Sequence, residues 1–454
     1  MEDITMRKIF QYIMLAVVTI VMASCTSDIE ETTATTAKNN VQLVVGEFPA
    51  FGDSQTRAIG TPDEGKTSWA EGDELLLVID NTSYGSHSAT FTYNGKSWEL
   101  TSGELVYREG DPAYIPHVYY APNYKWANTS LMLKKGKAAG TDELIEGNAI
   151  ITGNGETITV SFAEATRKYS RLRIATLPNE QITVDTEDFT PAGSSDMEQK
   201  GNYTLTSDEK GNAYLYGTFE NNSEVTVKYR EAALTTYTFS QATENAKSYA
   251  LDATVISANS AEEIKSAIEQ KVADGKTTIR LNLAPNAGTN EFMAIREAIK
   301  GAAPNDLGTI ELTIIGVETI PEEAFYKMLQ LKSVRMSDVK EIKKYAFKEC
   351  QYLTVVEAPS LNKLCSGAFK KCDQLAKLTF GPINYADERN WPIFEYITPN
   401  IELILSDYQK EMIETDSYLY TANNDRDYAG SDEHNSKNFL GREFRSITCR
   451  YKVK

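Results

Sequence analysis

The chain is poor in the residues that build most catalytic and metal centres. Among 454 residues there are five cysteines and three histidines. Cys25, Cys350, Cys365, Cys372 and Cys449 form no CxxC pair, so a zinc site is not expected. His87, His117 and His434 are isolated. No Gly-rich phosphate loop, GxSxG elbow or His/Cys/Asp constellation marks a reaction centre. The expectation is therefore no catalytic residue, no metal and no cofactor. Positive charge is also short. A net charge of −18 leaves no basic surface for phosphates, which argues against nucleic acid as a partner.

What is present begins with an export signal. Arg7 and Lys8 precede an apolar run from Ile13 to Ala23, and Met22, Ala23, Ser24 and Cys25 follow. The run is too short to span a bilayer, which takes about 20 apolar residues. A cysteine after two small residues resembles the lipobox of bacterial lipoproteins, with Met22 where Leu is usual. The resemblance implies cleavage before Cys25 and acylation of Cys25, hence an outer-membrane lipid anchor. Residues 1–24 are read as signal peptide and 25–40 as a lipidated tether of Ser, Thr, Glu, Ala and Asn. Asp28, Glu30 and Glu31 resemble the surface-export signals of some Gram-negative anaerobe lipoproteins.

From Val41 apolar residues alternate in short runs. Leu75, Leu77 and Ile79 follow a Gly72-Asp73 turn; Phe91 and Tyr93 lead through Asn94-Gly95 into Trp98 and Leu100. A second set includes Tyr214, Tyr216, Val225, Val227 and Tyr229. Such strands predict two β-sandwiches, over 41–172 and 173–256. Thr56-Arg57-Ala58, a Gly/Pro-rich loop, then Trp69, Gly72, Asp73 and Leu75 resemble the opening of fimbrillin-like (Mfa-like) lipoproteins. The resemblance covers about 40–256 and implies transthyretin-like sandwiches. It also implies a candidate processing site at Arg57. In that family a cut in this loop frees a strand, and a neighbour's strand fills the groove. The alternative is an uncut loop arginine, as an anchor subunit requires.

The period turns helical at Ser260. Ser260 and Glu263 form a capping box, and Ile264, Ala267, Ile268 and Val272 share a face. A strand at Ile279–Leu283 and a second helix capped by Thr289 or Asn290 complete a helix–strand–helix cap over 257–305. Then Ala324-Phe325, Ala346-Phe347 and Ala368-Phe369 recur 22 residues apart. Ile320, Ile342 and Leu364 share the step, as do Leu331, Leu353 and Leu375. Met328, Cys350 and Cys372 occupy one inward slot, where buried thiols are favoured over a disulfide between rungs. The pattern resembles BspA-like (Treponema-type) leucine-rich repeats over 306–405, with 406–454 as C-terminal cap. Asn423, Asn424, Asp425, Asp427 and Asp432 lack the Gly and final Glu of a calcium loop and are read as solvated loop.

The expected fold is therefore mainly β, with two transthyretin-like β-sandwiches followed by a short capped leucine-rich-repeat solenoid. Thr313, Arg335, Glu357, Lys377 and Thr379 point out from the repeat sheet as a candidate partner-binding face. The expected role is a lipid-anchored surface subunit of a fimbria (anchor, accessory or tip) or an adhesin. Its expected partners are pilus subunits or host and bacterial surface proteins. The alternative is a glycan-binding lipoprotein of a nutrient-uptake system, with Trp98, Trp126 and Trp391 as stacking candidates.

Overall fold

A computed structural model describes residues 41–49, 51, 66–81, 85–103, 115–153, 158–194, 196–387, 393–406, 438–440 and 442–451. The signal peptide, Cys25, Arg57, Trp391 and the Asn/Asp-rich stretch lie outside the described residues.

The first alternating runs make strands β1 (Val41–Val45), β2 (Glu74–Asn81), β3 (Gly85–Tyr93), β4 (Trp98–Gly103) and β5 (Ile115–Tyr120). The hairpin of β6 (Tyr124–Ala127) and β7 (Ser130–Leu133) comes next, then β8 (Ile145–Gly153) and β9 (Ile158–Thr166). Among the described residues the sheet order is β1-β9-β8-β5-β2-β3-β4. The sheet curls until β1 approaches β4. Leu75, Leu77, Phe91, Val118, Tyr120 and Ile145 fill the inside. The Trp-x-x-Gly-Asp motif closes one end. Trp69 lies edge-on to Phe48, Trp98 and Tyr120 at 4.8, 5.1 and 5.4 Å between centroids, and its indole N–H donates to the Gly46 carbonyl at 2.8 Å. Gly72 takes φ +90°, which a side chain would resist, and this sets Asp73 to accept from the Ala70 amide at 2.7 Å.

A second sheet holds β10 (Ser170–Ala175), β11 (Gln181–Pro191), β12 (Glu198–Thr206), β13 (Asn212–Phe219), β14 (Glu224–Tyr229), β15 (Ala232–Thr238) and β16 (Ser248–Asp252). Its order is β15-β14-β11-β13-β10-β16, with β12 on β11. Phe189, Phe219, Leu172, Ile174, Val225 and Tyr229 make its core. The expected boundary between Leu172 and Arg173 falls inside β10. That strand pairs throughout with β13 and β16, so the second unit starts before Ser170. In each sandwich the first strand lies parallel to the last, β1 to β9 and β10 to β16.

The remainder is a solenoid. It contains β17 (Ile256–Ala258), α1 (Ala261–Ala273), β18 (Thr278–Leu283), α2 (Thr289–Ala302), β19 (Ile310–Ile315), β20 (Thr319–Ile320), β21 (Leu331–Met336), β22 (Glu341–Ile342), β23 (Val355–Ala358) and β24 (Lys363–Cys365). β25 (Lys377–Phe380), β26 (Tyr385–Asp387), β27 (Glu402–Ser406), the hairpin of β28 (Asn438–Phe439) and β29 (Arg442–Glu443), and β30 (Ser446–Tyr451) complete it. One parallel sheet runs β17-β18-β19-β21-β23-β25-β27-β30, and a second runs β20-β22-β24-β26. The cap is thus continuous with the repeats, and Ile256 already belongs to the solenoid rather than to the second sandwich. Ser260 caps α1, accepting from the Glu263 amide at 3.3 Å, and the helix ends before Gly275 at φ +73°. The cap of α2 is Gly288 instead of Thr289 or Asn290. The Glu291 carboxylate accepts from the Gly288 amide at 2.8 Å, so the cap position needs no side chain of its own. At the far end Phe439, Leu440 and Phe444 are buried, and Ile447 and Cys449 of β30 face the same core.

Candidate interaction face of the repeat stack

Each rung repeats one backbone path. Glu323, Tyr345 and Gly367 hold φ +56°, +57° and +62°, and Lys327, Glu349 and Lys371 hold +56°, +63° and +59°. These left-handed residues bracket the Ala-Phe turn and aim its amides at the next rung. Phe325 donates to the Ala346 carbonyl at 2.8 Å and Phe347 to Ala368 at 2.9 Å. Phe325, Phe347, Phe369 and Phe394 stack in sequence at 5.1, 5.4 and 5.7 Å between centroids. The last step spans 25 residues instead of 22. Cys350 and Cys372 are free, buried thiols that donate to the Phe325 and Phe347 carbonyls, each at 3.0 Å. Burial pushes the Cys350 thiol up to about 12, and Cys372 well above its ordinary range.

The proposed face consists of two rows. Thr313, Arg335, Glu357 and Thr379 are register partners on β19, β21, β23 and β25. Lys377 stands in the neighbouring row with Ser333, Val355 and Glu402. Arg335 and Glu357 pair across adjacent rungs, Nε to Oε2 at 2.8 Å, and Lys332 reaches Glu311 at 2.8 Å. Both pairs are substantially exposed, so each contributes little to stability. Lys377 and Thr379 are half-buried.

Thr313 is not available to a partner. It is 4% exposed. Arg280, its register partner on β18, is buried too; its Nε donates to the Leu234 carbonyl at 2.6 Å, and Nη1 lies 3.9 Å from Asp252. Ile315 at the end of β19 joins the sandwich core. The sandwich therefore covers the first rungs and leaves the face open from β21 onward. Arg280, a lone cation in the run Ile279-Arg280-Leu281, is the sequence signal for this contact.

Arg57 lies outside the described residues, but the segment leading toward it is tied down. Phe48 is in the first core. Phe51 is held between the guanidinium groups of Arg167 and Arg171, at 4.0 and 4.5 Å from its ring centroid. Arg167 donates to the Pro49 carbonyl at 2.7 Å and grips Glu143 at 2.6 and 3.0 Å, with both side chains 3% exposed. Burial drives the Glu143 carboxyl upward against the pull of Arg167, and lowers Arg171. Sequence reasoning missed this cluster, because its members are distant along the chain.

The stacking candidates separate. Trp98 packs on the core beside Trp69 and Tyr93. Trp126 is half-exposed on the β6–β7 hairpin, its plane 21° from that of Tyr119 at 6.3 Å; His117 follows at 5.9 Å and 10°. His117, isolated in sequence, lies against Tyr119 and 3.4 Å from Glu146, and Tyr119 was not singled out from sequence. Their alternation with buried Val118 and Tyr120 is the signal that puts them on the outer face. Among the described residues no helix is long and apolar enough to cross a membrane, and no group of three or more His, Cys, Asp and Glu is placed to hold a metal.

These features define a protein of β-sandwiches joined to a leucine-rich-repeat solenoid. Residues 306–418 match the family described as BspA type leucine rich repeat region, in six copies. A crystal structure from Bacteroides fragilis, described as that of a candidate cell adhesion protein, superposes with a TM-score of 0.30 at 10% identity, covering 48% of this chain and 93% of that one. The minor pilin of Streptococcus agalactiae superposes at 0.17 and 9%, covering 48% and 94%. Both scores are too low for the likeness to bear on function. No curated protein sequence matches the chain.

Proposed function

We propose that this protein is a cell-surface binding subunit, a fimbria-associated component or adhesin tethered through a lipid at Cys25, and that it acts without catalysis. The observation that supports the reading most is the solenoid. Its first rungs dock on the second sandwich through Arg280 and Ile315, while the sheet face from β21 onward stays open with Ser333, Arg335, Val355, Glu357 and Lys377 along it. An open parallel-sheet face on a stacked array is a common protein-binding surface. The sandwiches then serve as the stalk, or as the docking unit for pilus subunits. If Arg57 is cut, the released piece includes β1, whose loss would bare the β9 edge for a partner strand.

Two measurements test this. Replacing Cys25 with Ala is expected to release the protein from a carbonate-washed membrane fraction; full retention refutes the anchor. Adhesion by a folded Arg335→Glu, Lys377→Glu double variant is expected to fall, with slower association and an unchanged melting temperature. Wild-type adhesion by that variant removes the solenoid face from the reading. The mass of the mature amino terminus distinguishes an acylated Cys25 from a new terminus at Ala58.

A further inference from the structure

The outer face of the first sandwich carries a second site. The β6–β7 hairpin lies against this face and leaves a cleft of about 270 Å³ along β2, β3 and β4. The cleft floor is rich in hydroxyls, from Ser88, Thr90 and Ser102, with Leu76 between Thr90 and Tyr119. Its wall is aromatic, made by Tyr119 and Trp126. Its rim is a charge pair, Lys134 with Glu74 at 3.3 Å. On the other side of Tyr119 is a cleft of about 330 Å³ at the junction of the two sandwiches. That one is lined by Thr190, Ser194 and Thr218 and by Glu146, which Lys168 meets at 3.5 Å. Tyr119 is the ridge between the two clefts, its hydroxyl 3.5 Å from Glu146.

We infer that these clefts are two subsites for a neutral saccharide chain that crosses Tyr119. The chemistry of the lining selects this ligand class. Hydroxyl-bearing floors supply paired donors and acceptors, which match sugar hydroxyls and serve a hydrocarbon badly. Half-exposed aromatic rings in nearly parallel planes offer apolar surface for the C–H faces of pyranose rings. Lys134 and Lys168 each face a carboxylate, and Lys125 is the one further cation of the lining, which is too little positive charge to favour phosphate or sulfate as the ligand. Both volumes sit near the lower bound of small-ligand pockets, roughly 300–1,000 Å³, which suits one sugar ring on each side of the ridge. The site is separate from the solenoid face, and its test does not depend on the reading of that face.

The test is calorimetric titration of the full chain with xylohexaose, cellohexaose, maltohexaose and desialylated mucin glycans at millimolar concentration. At least one probe is expected to bind. Trp126→Ala should weaken that binding about tenfold, the factor that ~1.4 kcal/mol of lost stacking produces. Ser102→Tyr, at an exposed position of edge strand β4, fills the first cleft without removing a core contact and should abolish it. Lys371→Ala on the solenoid should change nothing. Failure of the wild-type protein to bind any probe overturns the inference. So does undiminished binding by either variant once its thermal unfolding matches wild type.

Discussion

Between Ile310 and Phe380 the side chains buried in the repeat stack are apolar except Thr313, Gln330 and Ser366, and most of its ion pairs lie on the surface, Lys370–Glu395 at 12% and 11% exposure being the exception. The junction of the two sandwiches buries Glu143, Arg167, Arg171, Ser170 and Thr243 instead. The difference follows from where each region finds its partners. A rung meets its copy 22 residues away, so the same apolar residue can recur in each slot and backbone amides pair with the next turn. At the junction nothing repeats, and three distant segments must be held in one geometry. Directional charged contacts do this where shape alone does not, at the cost of desolvating the ions.

The largest expected effect comes from breaking the periodic side. Phe347→Ala removes the middle ring of the ladder and should cost about 3–5 kcal/mol, read by denaturant unfolding. A loss below ~1 kcal/mol would mean that the ladder is not the solenoid's core. On the other side, Arg167→Met strands a buried carboxylate and should cost about 3 kcal/mol, while adding Glu143→Leu should recover most of it. If the double variant is no better than the single, the junction is not held by the pair. The deficit of Arg167→Met should also shrink in acid. Burial holds the folded-state Glu143 above its ordinary range, so the charged form costs stability at neutral pH. That cost fades as pH falls through the raised value toward the unfolded carboxylate near about 4.3. Unfolding at two pH values checks the sign.

Thiol labelling gives a smaller contrast inside the stack itself. Cys365 and Cys449 are half-buried and should alkylate in the folded protein at mildly alkaline pH. Cys350 and Cys372 should label only on global unfolding, since burial keeps them as thiols. Peptide mass mapping distinguishes the two classes, and early labelling of Cys350 would show that rungs open independently. The smallest effect is expected at Arg335→Glu, which should change stability by less than about 1 kcal/mol, because the Arg335–Glu357 pair is exposed.

Legibility divides along the same line. The rungs, the Phe ladder and the inward slot of Met328, Cys350 and Cys372 could be read from spacing, because one residue type returns to one environment. The left-handed positions could not, since Glu323 and Tyr345 occupy them where a glycine would have signalled the turn; only Gly367 is typical. Lys377 and Thr379 fall on the 22-residue step from Val355 and Glu357, and the strands pair in that register. Thr313 looked outward by alternation, but it is buried beside Arg280, which itself reaches the second sandwich. Strand pattern decides the face; docking of another domain decides whether that face meets water. The Trp-x-x-Gly-Asp motif was legible as packing and turn, whereas the grip of Arg167 and Arg171 on Phe51 depends on folded proximity alone.

The parallel pairing of first and last strands in each sandwich has a mechanical consequence. Because β1 runs alongside β9 and β10 alongside β16 in the same direction, tension between the ends of either sandwich pulls the paired strands past each other lengthwise. The ladder hydrogen bonds between Val41–Val45 and Ile158–Phe162, and those between Arg171–Ala175 and Ser248–Asp252, are loaded together in shear rather than unzipped singly. A chain that passes through both sandwiches before reaching the solenoid therefore carries two such clamps in series along the line of pull.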